Sequence, residues 1–535
     1  MRRGRGKAWL VTRGAQPACD RVASDGRFQA QLWGIGRVFA LEEPGRWGGL
    51  VDLDPDEHDA AALAETLVAA IDHDDEEDQS AWRAGVRYVP RLRPMPDSAR
   101  PSEPLRLDGN ATYLVTGAFG GLGPLIADWL FGLGARHLAL VGRHADPLHP
   151  VAQSLTARGA VVHALCADVS DATAMAQEMR ELAVRAPRVR GIVHAAASLS
   201  NGRIGQLEHS QIEAMLRPKV DGTLFLQRFA RETDADFLVL FSSSTALLGA
   251  AGFAHYAAAN LFMDATAYAE RQAGRPVLSV NWGTWERMRV ASEQDKQMFV
   301  EAGLRPMAPS TAFRALETLI RDGVSQAMVA DIDWPTLKSL HELRRSRPLL
   351  RDLGRSELRP VPESPMQTAI LAPAQTPAAG PRSDVVQRYE EAPPDLRHEL
   401  LIVFAQAEVA AVLGAPDASS IPRAKGLFDL GMDSLMAVEL RRRFERALQM
   451  PLPSTLTFNH PNVDALARFF GTALMHRLAS VPQAAAADVE DLRTETVPTD
   501  ETGRANPATK LGSSLDELSD DELEAQLLAR LDQIR

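Results

Sequence analysis

The stretch ATYLVTGAFGGLGPLIADWLF, residues 111–131, decides the fold. Residues 111–116 read as a buried strand, and the chain then runs through Gly117, Gly121 and Gly123 into an apolar helix opened by Pro124. Proline suits a first helical turn, because its missing N–H would have no partner there. Glycines in this order permit a tight turn and let a pyrophosphate approach a helix N-terminus. A glycine trio alone is a common turn. Strand, glycines and helix together predict a Rossmann-like α/β fold with a dinucleotide site.

Working outward, residues 137–141 form a second apolar strand ending in Gly142-Arg143. NAD sites carry an acidic residue at this point for the ribose 2′-hydroxyl. Arg143 suits a 2′-phosphate instead and predicts NADPH. A third strand at 160–165 reaches Asp168 and Val169, where Asp168 can meet the adenine. A fourth at 191–197 contains Ala195, small enough for the cofactor to lie close. Thr116 and Val169 complete the expected cofactor-binding set with Gly117, Gly121, Gly123, Arg143, Asp168 and Ala195. Cys166 reads as packing.

Chemistry belongs to FSSSTALLGAAGFAHYAAAN, residues 241–260. An apolar strand at 237–241 delivers serines at its tip, and Tyr256 and Asn260 share one helical face by their four-residue step. A phenol with a pKa of about 10 donates a proton at neutral pH only with a cation beside it. The chain holds 52 arginines and six lysines, and Lys219 is the single lysine between Asp108 and Tyr268. A compact ammonium can tune a phenol where a permanently charged guanidinium cannot.

The remaining sequence sets the context. Two cysteines, Cys19 and Cys166, exclude a disulfide framework or zinc site. A net charge of −12 argues against nucleic acid, and no apolar run reaches the length of a membrane span. The basic start is too short for a signal core. A soluble cytoplasmic protein is expected, with no metal.

Residues 1–108 read as incomplete α/β material: strands at 8–12 and 48–53, helices at 29–41 and 59–71, and an edge strand at 87–92. The acidic run 72–78 reads as a solvated loop. Residues 346–394 are a Pro/Ala-rich linker. Residues 395–475 form a small helical unit with a first helix at 394–413 and the motif GMDSL at 431–435. A serine at such a loop-to-helix junction fits an N-cap. Arg441, Arg442 and Arg443 read as a solvated face. Residues 476–512 are a second linker. In 513–535 a capping box at Ser519 and Glu522 opens an amphipathic helix that needs a partner.

These motifs together resemble the ketoreductase domain of modular type I polyketide synthases, a branch of the short-chain dehydrogenase/reductase superfamily. The resemblance rests on TGAFGGLG, CADVSD, GIVHAAA, RPKVDGT, FSSS…YAAAN and NWGTW. FDLGMDSLMAVELRRRFE followed by TLTFNHP is similar to their acyl carrier domains. The resemblance implies a partial structural subdomain at 1–108, the catalytic subdomain at 109–345, a four-helix carrier bundle at 395–475 and a C-terminal docking helix. The missing front half of the structural subdomain implies a fragment of a longer synthase or a second polypeptide carrying the rest.

Tyr256 is then the proton donor to a β-keto oxygen, Ser243 its hydrogen-bonding neighbour, Lys219 the cation, and Asn260 the group that positions Lys219 or a relay water. Alternation would turn Ser242 and Ser244 to the opposite face. Ser434 carries 4′-phosphopantetheine, added by a phosphopantetheinyl transferase. Leu248 replaces a Trp that marks one alcohol configuration and Leu199-Ser200-Asn201 replaces the LDD that marks the other; the expectation leans to the LDD type. Residues 287–307 would form a substrate lid, with Thr284 where the family often has Pro. Implied partners are the acyl chain on the carrier and neighbouring synthase modules, with a homodimer through the terminal helix. A carrier and docking protein with an inert reductase half, and the corresponding part of a fatty-acid synthase, are the alternatives.

Overall fold

A computed structural model describes residues 6–73, 75–96, 104–287, 299–342, 345–353, 384–415, 417–432, 434–453 and 456–479. At its centre lies a seven-stranded sheet: β5 (Thr112–Thr116), β6 (His137–Gly142), β7 (Val161–Cys166), β8 (Val189–His194), β9 (Phe237–Ser243), β10 (Val277–Trp282) and β12 (Gln326–Val329). Its order is β12-β10-β9-β8-β5-β6-β7, with parallel pairing throughout. Such strands are covered on both faces, so they read as continuous apolar runs. One face packs Ile126 and Leu130 of α3 (Gly123–Gly132) with Leu316 of helix Pro309–Asp322. The other packs Met175 and Leu182 of α5 (Ala172–Arg185) with Leu226 of α6 (His209–Glu232). The strand order reverses at β5, which opens a crevice at the carboxyl ends of β5 and β8, where ligands of such sheets bind.

A second sheet, β1 (Ala8–Arg13), β2 (Trp47–Leu53), β3 (Gln79–Arg83) and β4 (Val86–Tyr88), runs in sequential order with only β3–β4 antiparallel. Helix α1 (Gly26–Glu42) joins it to the large sheet by packing on α8 (Ala254–Gln272). A Cβ at Gly34 would lie 2.5 Å from the Ala257 and Ala258 backbone, so only glycine allows this approach. Strand β3 was not foreseen, since its polar QSAWR sequence lacks an apolar run. The acidic segment before it is no free solvated loop: Asp75 pairs with Arg87, and Glu77 with Arg91 and Arg351.

Packing of the domain expected at 109–345 continues past 345, because Leu349, Leu350 and Leu353 are buried with Leu337. The helical unit expected at 395–475 gains an earlier helix: Asp384–Glu391 buries Val386 and Tyr389, and the Tyr389 hydroxyl donates to the Gly471 carbonyl at 3.3 Å. Helices Arg397–Leu413, Ser434–Leu448, Leu456–Asn459 and Val463–Ala479 follow. Phe404, Phe444 and Phe470 meet at their centre, with 4.7 Å between the last two ring centroids. The second linker and the terminal helix at 513–535 lie outside the described residues, as do 288–298 of the expected lid. No described helix is long and apolar enough to cross a membrane.

Candidate active site

Buried strand β9 carries Ser242 and Ser243 to the crevice. Beyond it, α7 (Thr245–Leu248) and two glycines with positive φ, Gly249 and Gly252, turn the chain into α8. Ser243 Oγ accepts from the Thr245 N–H at 3.2 Å and the Thr245 hydroxyl at 3.0 Å, which leaves its own hydrogen to donate. Ser242 takes a different direction, accepting from Asn281 Nδ2 at 2.9 Å. Ser244 lies past the strand with helical φ and ψ, so strand alternation does not govern it.

Lys219 reaches the same place from α6. It is 2% exposed, donates from Nζ to the Phe241 carbonyl at 2.9 Å, and lies 5.5 Å from the Tyr256 ring centroid. Burial pushes its pKa down to about 7, against an opposing pull from Asp264. Burial also raises the Tyr256 phenol above its ordinary value, while hydrogen bonding with Ser243 and Asn260 draws it back. Asn260 does not hold Lys219: its Nδ2 donates to the Tyr256 carbonyl at 2.8 Å. Its Oδ1 is buried with no partner among the described residues. A buried acceptor left open is costly, so it marks a place for a water or ligand hydrogen.

The glycine turn divides its work. Gly117 and Gly121 have φ of 71° and 47°. A Cβ at Gly117 would sit 2.9 Å from the Ala195 backbone, and one at Gly123 2.3 Å from the Gly117 carbonyl. Gly120 and Gly121 face open space. The turn, small residues and open helix start fit a dinucleotide. Arg143 is exposed just past β6, and half-buried Asp168 accepts from the Ser170 N–H and hydroxyl at 2.9 and 2.7 Å. Burial works to raise the Asp168 carboxyl, but those bonds and Arg143 keep it below its usual value.

Two residues of the expected cofactor-binding set turn their side chains away from the crevice. The Thr116 hydroxyl is fully buried 2.7 Å from His194 Nδ1, and the Val169 side chain packs in the core, so only their backbones remain for a ligand. Cys166 is exposed rather than packed.

Sequence reasoning missed three groups. His194 is held neutral, its pKa pushed to about 3 by burial and then by Lys219. Asp264, one turn after Asn260, accepts from Ser279 at 2.6 Å and Asn281 at 2.8 Å; the helical step from Asn260 was its signal. Glu42 of α1 has no local signal. Its two oxygens accept from Gly252 N at 2.7 Å and Ile204 N at 2.9 Å, tying together the loops that precede Tyr256 and follow β8.

The geometry is that of a Rossmann-type fold with Ser243, Tyr256 and Lys219 gathered at the end of β9. Residues 111–287 match the KR domain family, 405–470 the phosphopantetheine attachment site family, and 2–92 the Rossmann fold domain of polyketide synthase extender module SpnB. Among solved structures, an A-type ketoreductase from a modular polyketide synthase is 31% identical with a TM-score of 0.58, covering 65% of this chain and 73% of that one. PlmKR1, from the first module of phoslactomycin biosynthesis in Streptomyces sp. HK803, is 35% identical with a TM-score of 0.59, covering 64% and 80%. The chain belongs to the ketoreductases of modular polyketide synthases, with a phosphopantetheine carrier domain behind the reductase. Pikromycin polyketide synthase component PikAIII of Streptomyces venezuelae is 34% identical over 86% of this chain, which spans 29% of its length. Erythronolide synthase EryA3 of Saccharopolyspora erythraea is 36% identical over 86%, and the chain spans 14% of it. Membership implies NADPH and 4′-phosphopantetheine as cofactors.

Proposed function

We infer that the chain reduces a β-ketoacyl thioester, carried on Ser434, to the β-hydroxyacyl thioester in polyketide biosynthesis. Bound NADPH supplies hydride to the carbonyl carbon. Tyr256 gives its phenolic proton to the carbonyl oxygen, and Ser243 donates a hydrogen bond to that oxygen as charge develops on it. Lys219, over the phenol ring, favours the phenolate left behind, and the open Oδ1 of Asn260 can accept from a water that returns the proton. Arg143 would meet the 2′-phosphate and Asp168 the adenine, which supports NADPH over NADH.

Ser434 opens helix Ser434–Leu448, where the helix dipole favours a phosphodiester; its side chain and Asp433 lie outside the described residues. A phosphopantetheinyl transferase would load it, and residues 513–535 would dock neighbouring modules or a second copy. The alcohol configuration is read as the LDD type from the sequence alone, from Leu248 and Leu199-Ser200-Asn201.

The observation that carries this function is Lys219 Nζ 5.5 Å from the Tyr256 ring. NADPH oxidation with a small soluble β-ketothioester tests it. Tyr256→Phe should slow turnover by roughly 10²–10⁴-fold. Equal rates in the two proteins would sink the assignment.

A further inference from the structure

The three arginines of the carrier helix Ser434–Leu448 do not share one solvated face. Arg443 binds Glu408 of the carrier's own first helix at 2.6 Å. Arg441 and Arg442 reach across to the reductase and converge on one carboxylate, Glu301, at 2.6 and 2.7 Å. Arg441, Arg442 and Glu301 are only 15%, 20% and 23% exposed. Just before the start of the same helix, the Gly431 carbonyl accepts from Arg203 Nη1 of the reductase at 3.2 Å.

Arg203 belongs to the loop that borders the active site. Its neighbour Gly202 donates to the Gly252 carbonyl at 2.9 Å, Ser200 lies 2.9 Å from His255, and Ile204 is held by Glu42. Tyr256 follows the second of these loops directly, in the first turn of α8. Helix Ser434–Leu448 is therefore gripped beside its first residue, next to the catalytic loops, and again two turns further on.

We propose that Glu301 and Arg203 form the seat on which the carrier domain presents its cargo to the reductase of the same chain, with Arg441 and Arg442 as the matching cations. This rests on reading the chain as a reductase fed by its own carrier. Exposed ion pairs contribute little singly. Here two guanidiniums share one partly shielded carboxylate, and the tether makes the encounter intramolecular, so a modest contact suffices. The pairing also sets orientation, because reversing one partner places like charges together.

The test uses the full chain with Glu301→Arg, read on two substrates: a β-ketoacyl group loaded on its own carrier, and a small soluble β-ketothioester. Reduction of the carrier-borne group should fall about tenfold, with the small substrate unaffected, and Arg441→Glu/Arg442→Glu should restore it. Amide hydrogen exchange of 434–448 in the unloaded chain should quicken in Glu301→Arg and slow again in the triple variant. Exchange in helix Arg397–Leu413 checks that the carrier stays folded. An unchanged carrier-borne rate, an equal loss on both substrates, or a loss that charge exchange does not rescue would each overturn the seat. If the unaltered chain reduces neither substrate, the proposed function fails, and the exchange data still decide the seat.

Discussion

The two α/β halves begin alike, with a strand, a turn and a helix, yet only one turn can receive a nucleotide. In the small half, Thr12 of β1 stands opposite Asp52 of β2. The Asp52 carboxylate is fully buried and accepts from the Thr12 hydroxyl at 2.6 Å, Ala15 N at 2.9 Å, Gln16 N at 3.0 Å and Arg83 at 2.6 Å. The backbone donors of that turn are already taken by an internal anion. In the large half, Thr116 stands opposite Val141, and Gly120 and Gly121 face open space. A turn rich in N–H groups is an anion site by construction. One buried aspartate makes the first structural, and its absence leaves the second free for a phosphate.

The largest effect expected from breaking this contrast is at Asp52. Asp52→Ala leaves Arg83, whose side chain is 10% exposed, without its carboxylate and with only backbone carbonyls to donate to. The cost should be about 3–5 kcal/mol of reductase stability, read from urea unfolding; a cost under about 1 kcal/mol would mean that the carboxylate does not organise this half.

Next come the turn glycines. A Cβ at Gly14 would lie 2.6 Å from Ala23 Cβ, and one at Gly123 2.3 Å from the Gly117 carbonyl. Each Gly→Ala change should cost about 1–3 kcal/mol. Only Gly123→Ala should weaken NADPH binding, followed by nicotinamide fluorescence. Comparable weakening by Gly14→Ala would show that the halves are not functionally separate.

Legibility from sequence follows the same division. The glycine turn, the strand tip at Ser243, the Tyr256–Asn260 step and the GMDSL motif are local patterns, and each lies in the expected element. Lys219 was found only because the chain otherwise prefers arginine. Long-range partnerships left no local trace. Glu42 holds Gly252 from 210 positions away, and Glu301 meets Arg441 across 140. Packing claims the side chains of Thr116 and Val169, which their place beside the ligand turn does not reveal. Strand β3 was hidden because pairing on both sides can hold a polar strand that lacks an apolar run.

The halves also differ in how they bury charge. Asp52 faces a guanidinium, whereas Lys219 donates to a neutral carbonyl. Its pKa of about 7 lies below the ordinary 10.5, so between those values the unfolded chain binds more protons than the folded one. The contribution of Lys219 to stability therefore rises with pH across that window, and its penalty is full below about 7. Lys219→Met should stabilise the fold most below pH 7, with the gain fading towards 10.5, while ketoreduction falls. Unfolding midpoints across this range check the sign. A gain that grows with pH would contradict the buried ammonium.

The smallest effect on the fold, and the sharpest test of the open turn, is at Arg143. It lies exposed just past the end of β6, the strand whose counterpart in the small half, β2, carries Asp52. Nothing in the core depends on it, so Arg143→Ala should change stability by less than about 0.5 kcal/mol. A guanidinium recognises phosphate through a fixed fork of donors, which a ribose hydroxyl does not require. The variant should raise KM for NADPH about tenfold or more and leave that for NADH nearly unchanged. Equal losses for the two nucleotides would move the 2′-phosphate contact elsewhere, yet would leave intact the contrast between a filled turn and an open one.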